Sequence, residues 1–296
     1  MRPHLRLCPH QRGVRDLSGR MRDIYLLKFG GNALDGAEGL RRLAHEVADL
    51  VEKGISIVMV HGGGPAISAE MERLGMKPVK VAGVRVTDEA GLEVAEKVLR
   101  QINGEVVSAL EEAGVKAIGL PGYFCTECER KKPYTAVEDG KEITVDLGLV
   151  GEVVSVDEQT IFDLVDEKVV PVVYPIGGMA VHDKVQHLNV NADTMAAGIA
   201  AGIKCREMIA ITDVPGILRD VHDPSSKIDK VTFADLDALI ADGTVSGGMV
   251  PKVEACRKAV NAGARTVRMV NGRDPENIIT DIIINGAPKG TLIVKE

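Results

Sequence analysis

The chain alternates short apolar runs with amphipathic stretches, and this alternation restricts the possible folds more than any other feature. Seven strand-like runs occur at residues 24–29, 55–60, 115–120, 169–174, 207–211, 266–270 and 290–294. Stretches with apolar residues three and four positions apart, as in a helix, lie between several of them, at 40–52, 89–112, 192–201, 233–241 and 253–262. Continuous apolar strands alternating with helices are typical of a mostly parallel sheet covered on both faces. The sequence therefore predicts an α/β fold of this kind.

Two segments depart from the alternation. Residues 123–154 contain polar turns between short β-prone pieces, so we expect hairpins that lie over the first lobe. Residues 1–20 contain five arginines, together with prolines and glycines that break any helical period. We expect a disordered leader there, before a folded domain at 21–296, with an ordered oligomer arm or a weak targeting signal as the alternatives.

Charge and composition exclude several classes of protein. The 296 residues include 36 Lys and Arg against 43 Asp and Glu, a formal net charge of −7, whereas a nucleic-acid-binding protein is normally basic. No apolar run approaches the ~18–20 residues that span a bilayer, so no membrane partner is expected. The five cysteines, an odd number in a chain too large to need disulfides, are expected to be reduced thiols in the cytoplasm.

Two lysines near opposite ends of the chain stand beside glycine-rich turns. Lys28 precedes Gly30 and Gly31, and Lys252 follows a glycine pair that comes directly after Ser246. Glycine lets backbone N–H groups approach an anion closely, and lysine supplies a compact, mobile positive charge. The combination indicates phosphoryl transfer, although a single glycine pair after a strand is equally consistent with an ordinary turn.

A third cluster, Gly62, Gly63 and Gly64, follows the apolar run at 55–60. Three consecutive glycines cost ordering entropy of roughly 0.5–1 kcal/mol each wherever they are not needed, which favours a functional interpretation. The spacing is neither that of a P-loop nor that of a dinucleotide-binding turn, so a different phosphate cradle is predicted.

Arg85 lies just before the predicted helix at 89–112, for which Thr87 or Asp88 is a suitable N-cap. An arginine held there could bind a substrate carboxylate through paired hydrogen bonds, or it could form a surface salt bridge with an acid of the helix. Both interpretations are open on local evidence.

Two amides and a carboxylate begin the predicted helix at 192–201. Asn191 is the natural N-cap, and Asp193 falls in the first turn, where the helix dipole favours a negative charge. Capping alone leaves Asn189 without a role. The alternative is catalytic: Asp193 would hold the two lysines in place between phosphates.

Two further segments carry weaker signals. Residues 212–218 follow the apolar run at 207–211, and loops at the carboxyl ends of parallel strands are where ligands bind in open α/β sheets. Cys125 and Cys128 have metal-ligand spacing but lack the second half of a zinc site, so two free cysteines and no metal are expected, with a structural metal as the alternative.

Taken in order, the motifs resemble those of the amino acid kinase family, and within it the N-acetylglutamate kinases. The resemblance covers residues 22–294 and rests on Lys-x-Gly-Gly-Asn at 28–32, His-Gly-Gly-Gly-Pro at 61–65, Gly-x-Arg-Val-Thr-Asp at 83–88, Asp-Leu-Gly-Leu-Val-Gly-Glu-Val at 146–153, Asn-x-Asn-Ala-Asp at 189–193, Thr-Asp-Val-Pro-Gly-Ile-Leu at 212–218 and Gly-Gly-Met-Val-Pro-Lys at 247–252. It implies a three-layer α/β/α sandwich around a mostly parallel sheet, with a lobe for the acyl amino acid at about 21–180 and an ATP lobe at about 181–296.

The resemblance also implies an activity and a role for each motif. The γ-carboxylate of N-acetyl-L-glutamate would attack the γ-phosphate of MgATP, so the expected cofactors are ATP and Mg²⁺. Lys28 and Lys252 would stabilise the transferred phosphoryl group and Asp193 would organise both lysines. Residues expected to contact the acceptor substrate are Gly63, Gly64, Arg85 and Asn189. Residues expected to contact the nucleotide are Gly30, Gly31, Asp213, Gly216, Ile217, Leu218 and Ser246.

The resemblance further bears on regulation. Family members inhibited by arginine carry an extra N-terminal helix and a distinctive C-terminal segment. Residues 1–20 here are poor helix formers, and Pro288-Lys289 stands where sensitive members tend to have a glycine and a small apolar residue. We therefore predict a homodimer that arginine does not inhibit.

Several alternatives remain at this stage. A kinase acting on carrier-protein-linked α-aminoadipate or glutamate is the nearest, although the motif around Arg85 favours the free N-acetyl substrate. Aspartate, glutamate and uridylate kinases share the fold but match residues 146–153 and 189–193 less well. A non-catalytic ligand sensor would normally lack a phosphate lysine or the organising aspartate, and Lys28, Asp193 and Lys252 are all present.

Overall fold

The computed structural model describes residues 23–30, 33–81, 83–138, 141–274 and 278–296. The leader expected at residues 1–20, and Gly31, lie outside these ranges. The strands, in chain order, are β1 (Ile24–Phe29), β2 (Ser56–His61), β3 (Lys80–Val81), β4 (Val84–Arg85), β5 (Ala117–Pro121), β6 (Thr126–Arg130), β7 (Tyr134–Glu138), β8 (Lys141–Val145), β9 (Val150–Val156), β10 (Val170–Tyr174), β11 (Ile176–Val181), β12 (Lys184–Val190), β13 (Glu207–Thr212), β14 (Lys230–Val231), β15 (Val267–Asn271) and β16 (Thr291–Ile293). The α-helices are α1 (Gly36–Glu52), α2 (Gly64–Arg73), α3 (Glu89–Glu112), α4 (Glu158–Asp166), α5 (Ala192–Gly202), α6 (Phe233–Ala241), α7 (Met249–Ala262) and α8 (Ile278–Asn285).

The predicted mostly parallel sheet is confirmed. Eight strands pair in the order β14-β16-β15-β13-β1-β2-β10-β5, and only the β15–β16 pairing is antiparallel. Strand β1 lies between β2 and β13, with Lys28 opposite Val60 and Ala210. The carboxyl ends of these parallel strands therefore open at one edge of the sheet, where ligands bind in folds of this class.

Helices cover both faces of the sheet, and β1 shows why. Tyr25, Leu27 and Phe29 pack into an apolar cluster with residues of α1, α3 and α8, while Ile24 and Leu26 pack into another with residues of α4, α5, α6 and α7. Successive side chains of a strand point to opposite faces, so Lys28 shares the face of Ile24 and Leu26. This alternation directs Lys28 toward the face covered by α5.

The hairpins predicted within 123–154 are present, but they belong to a larger unit. Strands β7 and β8 form an antiparallel hairpin, and β6 pairs antiparallel with β9. Strands β11 and β12 complete a small closed barrel in the order β11-β12-β9-β6. The local sequence pattern indicates the strands within 123–154 but not their pairing with β11 and β12, which follow later in the chain, so the sequence does not predict the barrel.

The predicted helices begin and end within four residues of the observed ones, but α2, α4 and α8 are not among them. Helix α2 is the most informative of the three. It starts at Gly64 with a proline in its first turn, directly after two other glycines. Glycine and proline usually mark turns, yet proline is well suited to the first helical position because its missing N–H needs no partner there.

Candidate active site

Seven of the residues predicted to act on substrate or phosphate line a single cavity of about 260 Å³ at the carboxyl ends of β1 and β2. They are Lys28, Gly30, Gly63, Gly64, Arg85, Asn189 and Asp193. The chain brings them together from positions more than 160 residues apart because parallel strands place their following loops at the same edge.

A close ion pair joins β1 to the start of α5. Lys28 Nζ lies 2.5 Å from Asp193 Oδ1, and the two side chains are 12% and 32% exposed. Asn191 caps α5, accepting hydrogen bonds from the backbone N–H groups of Asp193 and Thr194. The capping and catalytic interpretations of this segment are thus compatible: one side chain caps the helix, and the next carboxylate orients the lysine.

Lys252 lies apart from that pair. Its Nζ is 3.2 Å from Asp213 Oδ1, and both side chains are more than one-third exposed. Lys252 and Asp193 line a neighbouring cavity of about 420 Å³, which shares Asn191 and Asp193 with the first. The structure therefore brings Asp193 into contact with Lys28 and places Lys252 across the adjoining cavity.

The position of Lys252 is unfavourable for a purely structural lysine. It falls in the first turn of α7, which contains no acidic residue, and the Gly248 N-cap position provides no side-chain hydrogen bond. The positive end of the helix dipole disfavours a cation there, and it attracts anions. A lysine at an uncapped helix N-terminus is suited to binding phosphate.

Packing explains why residue 63 of the triple glycine is a glycine, but it does not explain residue 64. A Cβ atom on Gly63 would come within 2.9 Å of Leu99 and Ile102, so α3 leaves no room for a side chain there. A Cβ on Gly64 would meet nothing within 4 Å, so packing does not require that glycine. Gly63 is also the N-cap position of α2 and supplies no side-chain cap, which leaves a helix N-terminus beside the cavity.

A buried histidine, which sequence reasoning did not single out, supports this turn. His61 Nδ1 lies 3.0 Å from the Gly62 carbonyl oxygen, and Asn103 Nδ2 lies 3.0 Å from His61 Nε2 and 2.9 Å from the Val172 carbonyl oxygen. Because the amide of Asn103 donates to Nε2, the ring proton is on Nδ1 and donates to Gly62. Burial lowers the pKa of His61 to about 4, so the ring is neutral at pH 7.

Arg85 is buried, and its partners are not those of a surface salt bridge. Its guanidinium donates to the Gly64 carbonyl oxygen at 3.0 Å and to Ser68 Oγ at 2.8 Å, and it contacts Met71 Sδ. Within the described ranges, no carboxylate lies within 4.0 Å of it. Burial lowers the pKa of Arg85, but arginine retains its charge in proteins. A buried cation without a carboxylate partner, in the wall of a cavity, is suited to binding an anion.

Asn189 lies on β12 and faces the same cavity. Its Nδ2 donates to Thr87 Oγ1 at 3.0 Å, which ties β12 to the segment that carries Arg85. Asp88 caps α3 by accepting a hydrogen bond from the Gly91 N–H, as one of the two expected N-caps. The sequence suggests Thr87 only as an N-cap of α3, and nothing in its local sequence indicates that it contacts Asn189.

The residues expected to bind nucleotide are more scattered. Among the described residues that line the 260 Å³ cavity around Lys28, called the Lys28 cavity below, five of the predicted nucleotide contacts are missing: Asp213, Gly216, Ile217, Leu218 and Ser246. Gly216 has φ of +140°, and a Cβ there would approach Thr291 Oγ1 to 2.4 Å. Thr291 Oγ1 also accepts a hydrogen bond from the Ile217 N–H at 2.8 Å, so the last strand of the sheet holds this loop.

The spacing of Cys125 and Cys128 left a structural metal as an alternative to two free cysteines. Cys125 and Cys128 are buried thiols, and burial raises the pKa of both. In the described parts of the chain, no group of three or more His, Cys, Asp or Glu side chains could hold a metal ion. None of the helices in those parts is long and apolar enough to cross a membrane.

Comparisons with known proteins identify the family of this chain. A family model described as the amino acid kinase family matches residues 23–271. The chain is 39% identical over 274 residues to an acetylglutamate kinase of Methanococcus vannielii, covering 92% of each chain. It is 40% identical over 276 residues to an acetylglutamate kinase of Methanocaldococcus jannaschii, covering 92% of this chain and 91% of the relative.

The fold is also similar to that of a solved structure. A structure of Giardia carbamate kinase superposes with a TM-score of 0.67 at 16% identity, covering 93% of this chain and 99% of that one. The expected resemblance and fold are confirmed, and this chain belongs to the amino acid kinase family.

Proposed function

We propose that this protein is an acetylglutamate kinase that transfers the γ-phosphate of ATP to the γ-carboxylate of N-acetyl-L-glutamate. The product is N-acetyl-L-glutamyl 5-phosphate, an intermediate of arginine biosynthesis. The observation that carries the proposal is the Lys28 cavity, whose wall contains both the buried Arg85 and the Lys28–Asp193 pair. A dicarboxylate can place one carboxylate at the arginine and the other near the lysine. The acetylglutamate kinases named above support this choice of acceptor.

The chemistry needs no general base. A carboxylate is ionised near neutral pH, so its oxygen can attack phosphorus directly while the bond from phosphorus to the β,γ-bridging oxygen breaks and ADP leaves with the electron pair. His61, the histidine nearest the glycine turn, is neutral and already bonded at both ring nitrogens. The main obstacle is repulsion between the acceptor anion and the triphosphate, which positioning and charge neutralisation overcome.

Each charged residue then has a defined task. Arg85 binds the α-carboxylate of the acceptor and Asn189 contacts its polar groups. Lys28, oriented by Asp193, neutralises the transferred phosphoryl group from the acceptor side. Lys252 does so from the nucleotide side, and its exposed pairing with Asp213 leaves it free to exchange that carboxylate for phosphate oxygens.

The nucleotide is assigned to the glycines that follow β1, to the loop that follows β13 and to Ser246, which precedes α7. Gly30, Gly31, Asp213, Gly216, Ile217, Leu218 and Ser246 are proposed to contact it. Mg²⁺ enters as part of MgATP, because magnesium is typically held by substrate phosphates with one or two carboxylates. Asp193 and Asp213 are both paired with lysines, so no step is assigned to a metal held by the protein alone.

We further propose that the enzyme works in the cytoplasm as a homodimer and that arginine does not inhibit it. The buried thiols Cys125, Cys128, Cys205 and Cys256 fit a reducing compartment. Sedimentation would test the dimer, and an assay with millimolar arginine would test the insensitivity. A sharp loss of activity with arginine would contradict the regulatory proposal while leaving the catalytic one intact.

The direct test is a coupled assay of ADP release with MgATP and four acceptors: N-acetyl-L-glutamate, free glutamate, N-acetyl-aspartate and carrier-linked aminoadipate. Strong turnover with N-acetylglutamate alone is expected. Turnover only with the carrier-linked acceptor would contradict the proposed substrate, but it would leave the lysine mechanism in place.

A further inference from the structure

Thr87 is a buried residue that contacts both of the groups proposed to bind the acceptor. Its Oγ1 lies 3.0 Å from the carbonyl oxygen of Arg85 and 3.0 Å from Nδ2 of Asn189. One hydroxyl thus links the backbone of the arginine to the side chain of the asparagine across two separate segments of the chain.

The proton inventory of this hydroxyl determines how the Asn189 amide is oriented. A threonine hydroxyl has one proton, and a backbone carbonyl can only accept. The proton therefore goes to the Arg85 carbonyl, and Oγ1 can only accept from its second neighbour. The NH₂ group of Asn189 must face Thr87, so the amide oxygen Oδ1 faces away from it.

Oδ1 of Asn189 is consequently available to a ligand. Asn189 lines the Lys28 cavity, and no described protein donor is bonded to its Oδ1. The same cavity contains the guanidinium of Arg85, which has only hydrogen-bond donors. The wall therefore combines a site for a carboxylate with an acceptor for an N–H group.

We propose that Thr87 is a positioning residue that fixes the Asn189 amide with Oδ1 toward the cavity, so that the site selects an acceptor with an N–H group beside its carboxylate. This inference rests on the proposed function and deepens it. An α-acylamino acid such as N-acetylglutamate has that pair of groups, with the amide N–H on the carbon that bears the α-carboxylate.

The position of Thr87 is itself held by its backbone. The Thr87 N–H donates to the Leu147 carbonyl oxygen at 2.9 Å, and the Leu149 N–H donates to the Thr87 carbonyl oxygen at 2.6 Å. Gly148 lies between Leu147 and Leu149 and has φ of +75°, and a Cβ there would lie 2.1 Å from the Thr87 carbonyl oxygen. Glycine alone permits this approach, so Thr87 has little freedom to rearrange when its side chain changes.

The test compares two substrates that differ only in the N–H. The ester analogue 2-acetoxyglutarate replaces the amide N–H of N-acetylglutamate by an oxygen, which places an acceptor opposite Asn189 Oδ1. For the wild-type enzyme we expect kcat/KM to be lower for the ester by roughly tenfold or more, because two acceptors then face each other without a proton.

Variants then assign this preference to Thr87. In Thr87→Val, which removes the hydroxyl and keeps the shape, Asn189 can turn its NH₂ group toward the cavity. KM for N-acetylglutamate should rise roughly tenfold with little change in kcat or in KM for ATP, and the preference over the ester should largely vanish. Thr87→Ser should restore the preference. Thr135→Val, the same change on the exposed face of β7, should behave as wild type.

The outcomes separate this inference from the proposed function. Equal turnover of amide and ester by the wild-type enzyme would overturn the Thr87 inference alone, and this measurement does not depend on the folding of any variant. A Thr87→Val enzyme with the unchanged preference would also overturn it. No turnover of N-acetylglutamate by the wild-type enzyme would contradict the proposed function and this inference with it.

Discussion

The acceptor side and the nucleotide side of the candidate active site are built differently. Arg85 and Lys28 are 7% and 12% exposed, and each is held by partners within 3.0 Å. Lys252 and Asp213 are 38% and 42% exposed and form a single contact at 3.2 Å. The acceptor cavity is thus preorganised, whereas the lysine proposed to act on the nucleotide side belongs to an exposed pair. Preorganisation in the protein favours selection of one acceptor, and an exposed lysine can follow a mobile phosphate.

The largest expected effect follows from removing the lysine of either side. Replacing either phosphate lysine, Lys28→Ala or Lys252→Ala, should lower kcat by about 10²–10³-fold, because each removes a charge that stabilises the transition state. Steady-state kinetics of ADP release would measure this. The matched control is Lys258→Ala, which removes an exposed lysine from the same helix and borders the same cavity as Lys252. Near-normal turnover of Lys252→Ala would contradict the proposed mechanism.

The second prediction concerns His61, the buried neutral histidine next to the glycine turn of the acceptor side, and the pH dependence of stability that it should cause. Burial lowers the pKa of His61 to about 4 in the folded protein, against an ordinary value of 6.5, so the unfolded chain binds more protons between these values. The free energy of unfolding should therefore be fully retained above pH 6.5 and lost as pH falls toward 4, by about 3 kcal/mol from this residue.

Urea unfolding at pH 7 and pH 4.5 would measure this loss. The difference between the two pH values should be smaller in His61→Gln than in wild type, and unchanged in His182→Gln, which alters an exposed histidine. An equal pH dependence in wild type and His61→Gln would show that His61 does not titrate in this way.

The third prediction separates binding from stability at Arg85. Replacement by methionine removes a buried cation that has no carboxylate partner in the described parts of the chain, so the free energy of unfolding should change little or increase. KM for N-acetylglutamate should nevertheless rise about 100-fold, because the charged hydrogen bonds to the α-carboxylate are lost.

Kinetics and urea unfolding on the same preparation would check both parts of the Arg85 prediction. Arg73→Met is the control, because Arg73 is an exposed arginine that bonds Glu70 on the surface. A large loss of stability in Arg85→Met with an unchanged KM would indicate that Arg85 is structural.

The smallest effect concerns the nucleotide side. Gly216→Ala should raise KM for ATP by roughly tenfold and leave KM for N-acetylglutamate unchanged, because the new methyl group would displace the loop from Thr291. Gly243→Ala provides the comparison: its φ is +82°, but a Cβ there meets nothing within 4 Å, so it bears only the cost of the backbone conformation. Equal effects of both variants on KM for ATP would rule out the contact with Thr291 as the cause.

Local pattern was sufficient to predict seven of the eight strands of the central sheet. The apolar runs became strands of the central sheet, and strand β1 and helices α3 and α6 have the predicted bounds. Lys28, Arg85, Asn189 and Asp193 are candidates from their local sequence, and the family resemblance implies a role for each.

The partners of these residues could not be predicted in the same way. The expected joint contact of Asp193 with both lysines depends on where α7 begins relative to β13, and in the structure Lys252 contacts Asp213 instead. His61 and Asn103 form a pair that links β2 with α3, and a Cβ on Gly119 would occupy the place of the Asn103 side chain. No single segment of sequence contains all three residues.

By itself, the sequence determined the order of strands and helices, the alternation that directs Lys28 to the α5 face, and the supply of lysines, glycines and amides for phosphate chemistry. These properties depend on neighbours along the chain, through side-chain periodicity and backbone freedom. Only the tertiary structure decided that Arg85 is buried with no carboxylate partner among the described residues, that His61 is neutral, and that Thr87 contacts Asn189. Burial and hydrogen-bond partners depend on segments that are far apart in sequence, so the packed fold is what turns these residue types into a selective site.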